Sequence, residues 1–142
     1  MKKKLPIGIS DFKKIIDGNY YYFDKTELIK SIIGEPGEVK LFTRPRRFGK
    51  TLNMSMIKYF FDIKEAEENR KLFKDLYIEK TENFKEQGQY PVIFLSLKDL
   101  KATTWEEMQK DIKSTITRMF LDHRYLLNDL DKFDTLTFEN IL

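Results

Sequence analysis

Cysteine is absent from the 142-residue chain, which rules out a disulfide framework and any thiolate metal site. Histidine occurs once, at His123, too few for an imidazole-built metal centre, and a Ser-His-Asp triad is disfavoured. Flanked by Asp122 and Arg124, it reads as a surface histidine. No segment approaches the roughly 20 consecutive apolar residues that cross a bilayer. The basic start, residues 1–4, is followed only by Leu5-Pro-Ile-Gly-Ile, too short an apolar stretch for a secretory signal. Charge of one sign is lacking too: 26 basic side chains face 23 acidic ones, leaving +3, so whole-chain charge selects neither nucleic acid nor membrane as a partner. These absences lead us to expect a soluble, cytoplasmic chain with no membrane partner.

What is present suffices for one ordinary core, since 41% of positions are hydrophobic and 14% aromatic. Ser10 and Asp11 cap a short helix carrying Phe12, Ile15 and Ile16, and Gly18 with Asn19 stops it. An aromatic run, Tyr20 to Phe23, leads into a second helix that begins near Asp24, Lys25 and Thr26. That helix places Leu28, Ile29, Ile32 and Ile33 on one side and is broken by Gly34, Pro36 and Gly37. Val39 to Phe42 reads as a short strand.

Directly after it stand Thr43-Arg-Pro-Arg-Arg-Phe-Gly-Lys-Thr51, then Leu52, Met56, Tyr59 and Phe60 at helical spacing. Strand, loop and helix in that order form a phosphate site, because a helix start presents unpaired amides and the positive end of the helix dipole. Gly49 lets the backbone approach an anion. Lys50 reaches terminal phosphates, and the Thr51 hydroxyl joins the shell of a Mg2+ held by them. The usual pattern, G-x-x-x-x-G-K-[ST], is altered at its first position by Arg44, which Pro45 pushes towards extended backbone. Arg44, Arg46, Arg47 and Lys50 crowd four cations into seven residues, an arrangement a polyphosphate relieves. The alternative reading is a solvated basic turn.

Leu5-Pro-Ile-Gly-Ile-Ser-Asp-Phe-Lys-Lys-Ile-Ile, Tyr21-Tyr-Phe-Asp-Lys-Thr and Leu41-Phe-Thr-Arg-Pro-Arg-Arg-Phe-Gly-Lys-Thr-Leu-Asn-Met-Ser-Met-Ile together resemble the N-terminal region of the AAA-ATPase-like family found mainly in bacteria. Arg-Pro-Arg-Arg-Phe-Gly-Lys-Thr is that family's version of the Walker A loop, so Arg44 is a family feature. The resemblance implies a P-loop fold with ATP and Mg2+ as cofactors. It implies the phosphate and Mg2+ roles of Gly49, Lys50 and Thr51, and Arg46, Arg47, Phe48 and Leu52 are expected as further nucleotide contacts. Family members continue through an acidic Mg2+-site strand into a domain similar to PD-(D/E)xK nucleases, which implies a nucleic-acid role for a longer parent protein.

Residues 66–77 read as helical, with Leu72, Phe73, Leu76 and Tyr77 as core contacts. Gly88 and Pro91 bracket a turn into a buried strand, Val92 to Leu97. Ser96 stands where a Mg2+-site carboxylate belongs, and Asp99, farther on, is a metal or water ligand or else a cap. Thr103 and Thr104 with Glu106 and Glu107 give capping-box signals for a long helix. Its stripe of Trp105, Met108, Ile112, Ile116, Met119 and Phe120 is expected to pack on the sheet. Phe138, Ile141 and Leu142 suggest a further helix, expected to be cut off in mid-course.

The expected fold class is therefore α/β, P-loop NTPase-like, a parallel sheet with flanking helices forming an incomplete domain. Residues 1–37 make an N-terminal helical and aromatic segment, and 38–142 a portion of the P-loop core. Tyr22, Phe23, Asp24 and Lys25 line an adenine pocket on this reading, or else plug the core and cap a helix. Arg46 or Arg47 reaches phosphate or, on self-association, a neighbouring subunit. ATP binding with incomplete hydrolysis is the expected function. The alternative is a non-enzymatic module gripping nucleic-acid phosphates through Arg44 to Lys50, with Phe48 stacked on a base.

Overall fold

A computed structural model describes residues 3–98 and 100–141. The chain forms two compact units, Met1–Val92 and Ile93–Leu142.

In the first unit, helix α1 (Phe12–Asp17) starts because the Asp11 carboxylate accepts the Lys14 amide at 2.9 Å, and it ends at Gly18. Asn19, at φ 50, turns the chain back. Helix α2 (Glu27–Gly34) and helix α3 (Lys50–Phe61) follow. Ser55 of α3 presents its hydroxyl to the Phe12 amide at 2.9 Å, so α3 satisfies an otherwise orphaned donor of α1. Phe12, Ile29, Met56, Phe60, Leu72, Phe73 and Ile78 close into one core. Phe73 is its hinge, with ring centroids 5.1 Å from Phe12 and 5.3 Å, edge-on, from Phe60. Each fully buried side chain of this kind stabilises the fold by roughly 1.5–3 kcal/mol.

The stretch expected as one helix over 66–77 is instead helix α4 (Ala66–Arg70), a 3-10 turn at Lys71–Phe73 and another at Tyr77–Lys80. Between them Asp75 adopts φ 64, a left-handed residue that no helix can carry through.

The second unit holds helix α5 (Trp105–Asp122), a 3-10 turn at Arg124–Asp129 and helix α6 (Lys132–Ile141). Its small core is the edge-on contact of Phe120 and Phe138, 4.8 Å between centroids.

The α/β expectation is overturned. Among the described residues there is no sheet and no strand, only single-residue bridges pairing Lys4 with Tyr20 and Asp62 with Tyr90. The apolar runs at 39–42 and 92–97 were each expected to form strands of a parallel core, yet among the described residues neither is a strand, and Val39 is 89% and Leu41 84% exposed. An apolar run supplies only one half of a strand; the other half is a neighbour at hydrogen-bonding distance. With no sheet beneath it, the α5 stripe buries none of its residues, and Trp105 is 65% exposed.

Candidate phosphate-binding site

The loop before α3 is shaped by two left-handed residues. Arg47 sits at φ 67 and Gly49 at φ 75. The second is free of strain because glycine has no Cβ, whereas an arginine in that region costs of order 1 kcal/mol and must be held there by its surroundings. Gly49 is the residue before the first turn of α3, its carbonyl accepting the Asn53 amide at 2.9 Å. Having no side chain, it cannot cap. Among the described residues nothing accepts a hydrogen bond from the amides of Gly49, Lys50, Thr51 or Leu52.

Lys50 is exposed, but its side chain is not extended away from the loop. Its ammonium folds back and donates to the Arg44 carbonyl at 2.5 Å, so it lies over the loop. Thr51 is exposed, and among the described residues its hydroxyl makes no hydrogen bond, unlike those of Thr115, Thr135 and Thr137, which each donate to the carbonyl four residues back.

A cavity of about 640 Å³ opens beside the loop. Arg44, Lys50 and Lys25 give it a cationic side, while Leu28, Phe42, Phe48, Met54 and Ile57 give it an apolar one. Lys40 also lines it, but its ammonium is occupied by the Glu35 and Gly37 carbonyls and the Glu35 carboxylate. Among the described residues Lys25, Arg44, Arg46, Arg47 and Lys50 form no ion pair. Uncompensated cations around one hollow make it attractive to an anion.

The structure thus brings Phe48, Gly49 and Lys50 together beside the cavity and leaves Arg46 and Arg47 exposed on the loop. Leu52 turns inward against the hydrophobic core. The aromatic segment divides. Phe23 is 72% exposed and does not line the cavity. Tyr22 packs edge-on against Phe12, its hydroxyl donates to the Met56 sulfur, and burial pushes its pKa up to about 12, so it stays neutral. Both Asp24 oxygens are engaged within the protein. Asp99 lies outside the described residues. Among those described, no group of three or more acidic or histidine side chains is placed to hold a metal, and no helix is long and apolar enough to cross a membrane.

Sequence reasoning passed over Asn53, Met54 and Ile57. The signal was available: 50, 53, 54 and 57 follow the i, i+3, i+4, i+7 rule and share one face of α3.

A family model described as "Predicted AAA-ATPase" matches residues 6–137, nearly the whole chain and all of the loop. The chain belongs to this AAA-ATPase-like family. A protein of Azotobacter chroococcum mcd 1, described as an uncharacterized protein in the vnfD 5' region, is 48% identical over 61 residues. That match covers 42% of this chain and 12% of the relative's length. No solved structure matches the chain.

Proposed function

We propose that this AAA-ATPase-like chain binds ATP with Mg2+ at the loop Arg44 to Thr51. The observation that carries the reading is the pairing of unengaged amides at the start of α3 with a lysine folded over the same loop. Phosphate oxygens are stronger acceptors than the Arg44 carbonyl, so the Lys50 ammonium would exchange one for the other at little cost. The amides of Gly49, Lys50 and Thr51 would complete the cradle. Arg46 and Arg47, exposed on the same loop, would add charge to the phosphates. The apolar walls Phe42, Phe48, Met54 and Ile57 suit a purine ring.

Thr51 fits Mg2+ because its hydroxyl is exposed and uncommitted at the first turn of α3. When bound, the ion would neutralise charge between the terminal phosphates. Hydrolysis needs in addition an acidic metal contact and an aligned water. Binding with little turnover is the proposed behaviour. A nucleic-acid substrate for a longer parent protein is a separate proposal resting on the family resemblance alone.

Calorimetric titration of Mg-ATP into the wild type and Lys50→Ala tests the reading. Binding by the wild type, weakened about 100-fold in the variant, supports it, since a lost charged hydrogen bond and point charge together amount to about 3 kcal/mol. Absence of wild-type binding overturns it. Tight binding of single-stranded nucleic acid without Mg2+, falling steeply with salt, would reassign the loop to the nucleic-acid alternative.

A further inference from the structure

The cavity beside the loop receives one cation from a distant segment. Lys25 stands just ahead of α2, 24 positions before Gly49, and its ammonium lies 3.8 Å from where a Cβ on Gly49 would be. The Gly49 approach is thus faced by an amine that no local sequence motif supplies.

The backbone on both sides of Lys25 is fixed. Asp24 Oδ1 accepts the Thr26 amide at 2.8 Å and the Thr26 hydroxyl at 2.7 Å. Its Oδ2 accepts the Tyr77 amide at 2.7 Å. Thr26 is wholly buried and its hydroxyl oxygen accepts the Ile78 amide at 3.1 Å. The flanking residues are therefore stitched to the 3-10 turn at Tyr77–Lys80, while the residue between them is exposed and, among the described residues, without an ion pair. A lysine mounted on an immobilised backbone loses only side-chain entropy on binding an anion. Lys25, Arg44 and Lys50 converge on one hollow with no carboxylate in its lining, and a ligand of high negative charge would offset their mutual repulsion.

We propose that Lys25 is a second phosphate-contacting lysine, which grips a nucleoside polyphosphate at Gly49 together with Lys50, and that Asp24 and Thr26 are its positioning residues. The proposal rests on the ATP reading of the loop and narrows it: the ligand carries a di- or triphosphate, and the segment before α2 serves the phosphates and not the base.

The test is calorimetric titration of Mg-ATP and, separately, of pyrophosphate into the full chain as wild type, Lys50→Ala, Lys25→Met, Lys25→Arg, Asp24→Asn and the Lys25→Met/Asp24→Asn pair, with circular dichroism melting of each. Lys25→Met is expected to keep the wild-type melting curve and to bind both ligands about tenfold or more weaker, the loss typical of a charge-assisted contact. Lys25→Arg recovers most of that loss. Asp24→Asn weakens binding alone but adds nothing to Lys25→Met, the signature of one residue acting through another. Wild-type binding that Lys50→Ala removes and Lys25→Met leaves unchanged would overturn this inference while sparing the ATP reading. Loss of Mg-ATP affinity with pyrophosphate affinity intact would also overturn it, by placing Lys25 at the base. A wild type that binds neither ligand removes both.

Discussion

The first turns of α3 and α5 show two ways to begin a helix. At α5 the Thr104 hydroxyl accepts the Glu107 amide at 3.2 Å, and the Glu107 carboxylate accepts from the amide and hydroxyl of Thr103 at 3.2 and 3.1 Å. These bonds hold the Glu107 carboxyl below its usual pKa. At α3 the capping position is Gly49, the next two residues are Lys50 and Thr51, and no side chain closes the terminus. A cap contributes about 1 kcal/mol and consumes the donors an anion needs; α3 forgoes the first and keeps the second. The comparison teaches that a ligand site here is recognised as much by the bond the protein omits as by the residues it supplies.

The largest expected effect is at the hinge of that difference. Gly49→Val places a β-branched side chain at φ 75 with its Cβ facing the Lys25 ammonium, costing about 1–2 kcal/mol of stability and abolishing Mg-ATP binding. Thermal melting and calorimetry check both parts; unchanged affinity would mean the glycine conformation is irrelevant to the ligand. Next comes Thr51→Ala, which should weaken Mg-ATP about tenfold and leave Mg-free ATP unchanged, as measured by titration with and without a chelator.

Thr104→Ala is the matching change at the closed terminus. It should cost about 1 kcal/mol, seen as faster amide exchange in the first turn of α5, with no change in nucleotide affinity. The smallest effect is that of pH. Because the Glu107 pKa is depressed in the folded chain, its contribution is present above the unfolded carboxylate range and is lost as pH falls through the lowered value. Fluorescence of Trp105, the only tryptophan, should report fraying of α5 on that descent. Glu107→Gln should remove the transition.

How far the sequence foretold these features follows from the distance over which each is determined. The Asp11 and Thr104 caps were legible because a cap and its amide are three residues apart. The start of α3 was legible because Gly49, Lys50 and Thr51 are contiguous and lead straight into helical spacing. The sheet was misread because pairing is non-local: Val39-Lys-Leu-Phe42 and Val92 to Leu97 have strand composition, but among the described residues neither segment forms a strand. The fate of Asp24 was half legible. Its bonds to Thr26 are local, whereas its bond to the Tyr77 amide spans 53 positions and could not be anticipated. Lys25 was expected at the base of a nucleotide, whereas its approach to Gly49, 24 positions on, is set by the packing of α2 on the core and could not be anticipated.

Amide resonances of the 15N-labelled chain, followed during titration with Mg-ATP, test the account most directly. The predicted result is large shifts confined to Gly49, Lys50, Thr51 and Leu52 and their neighbours on the loop, with the amides of Trp105 to Glu107 unmoved. Shifts centred elsewhere, or a loop that stays silent while nucleotide binds, would contradict it.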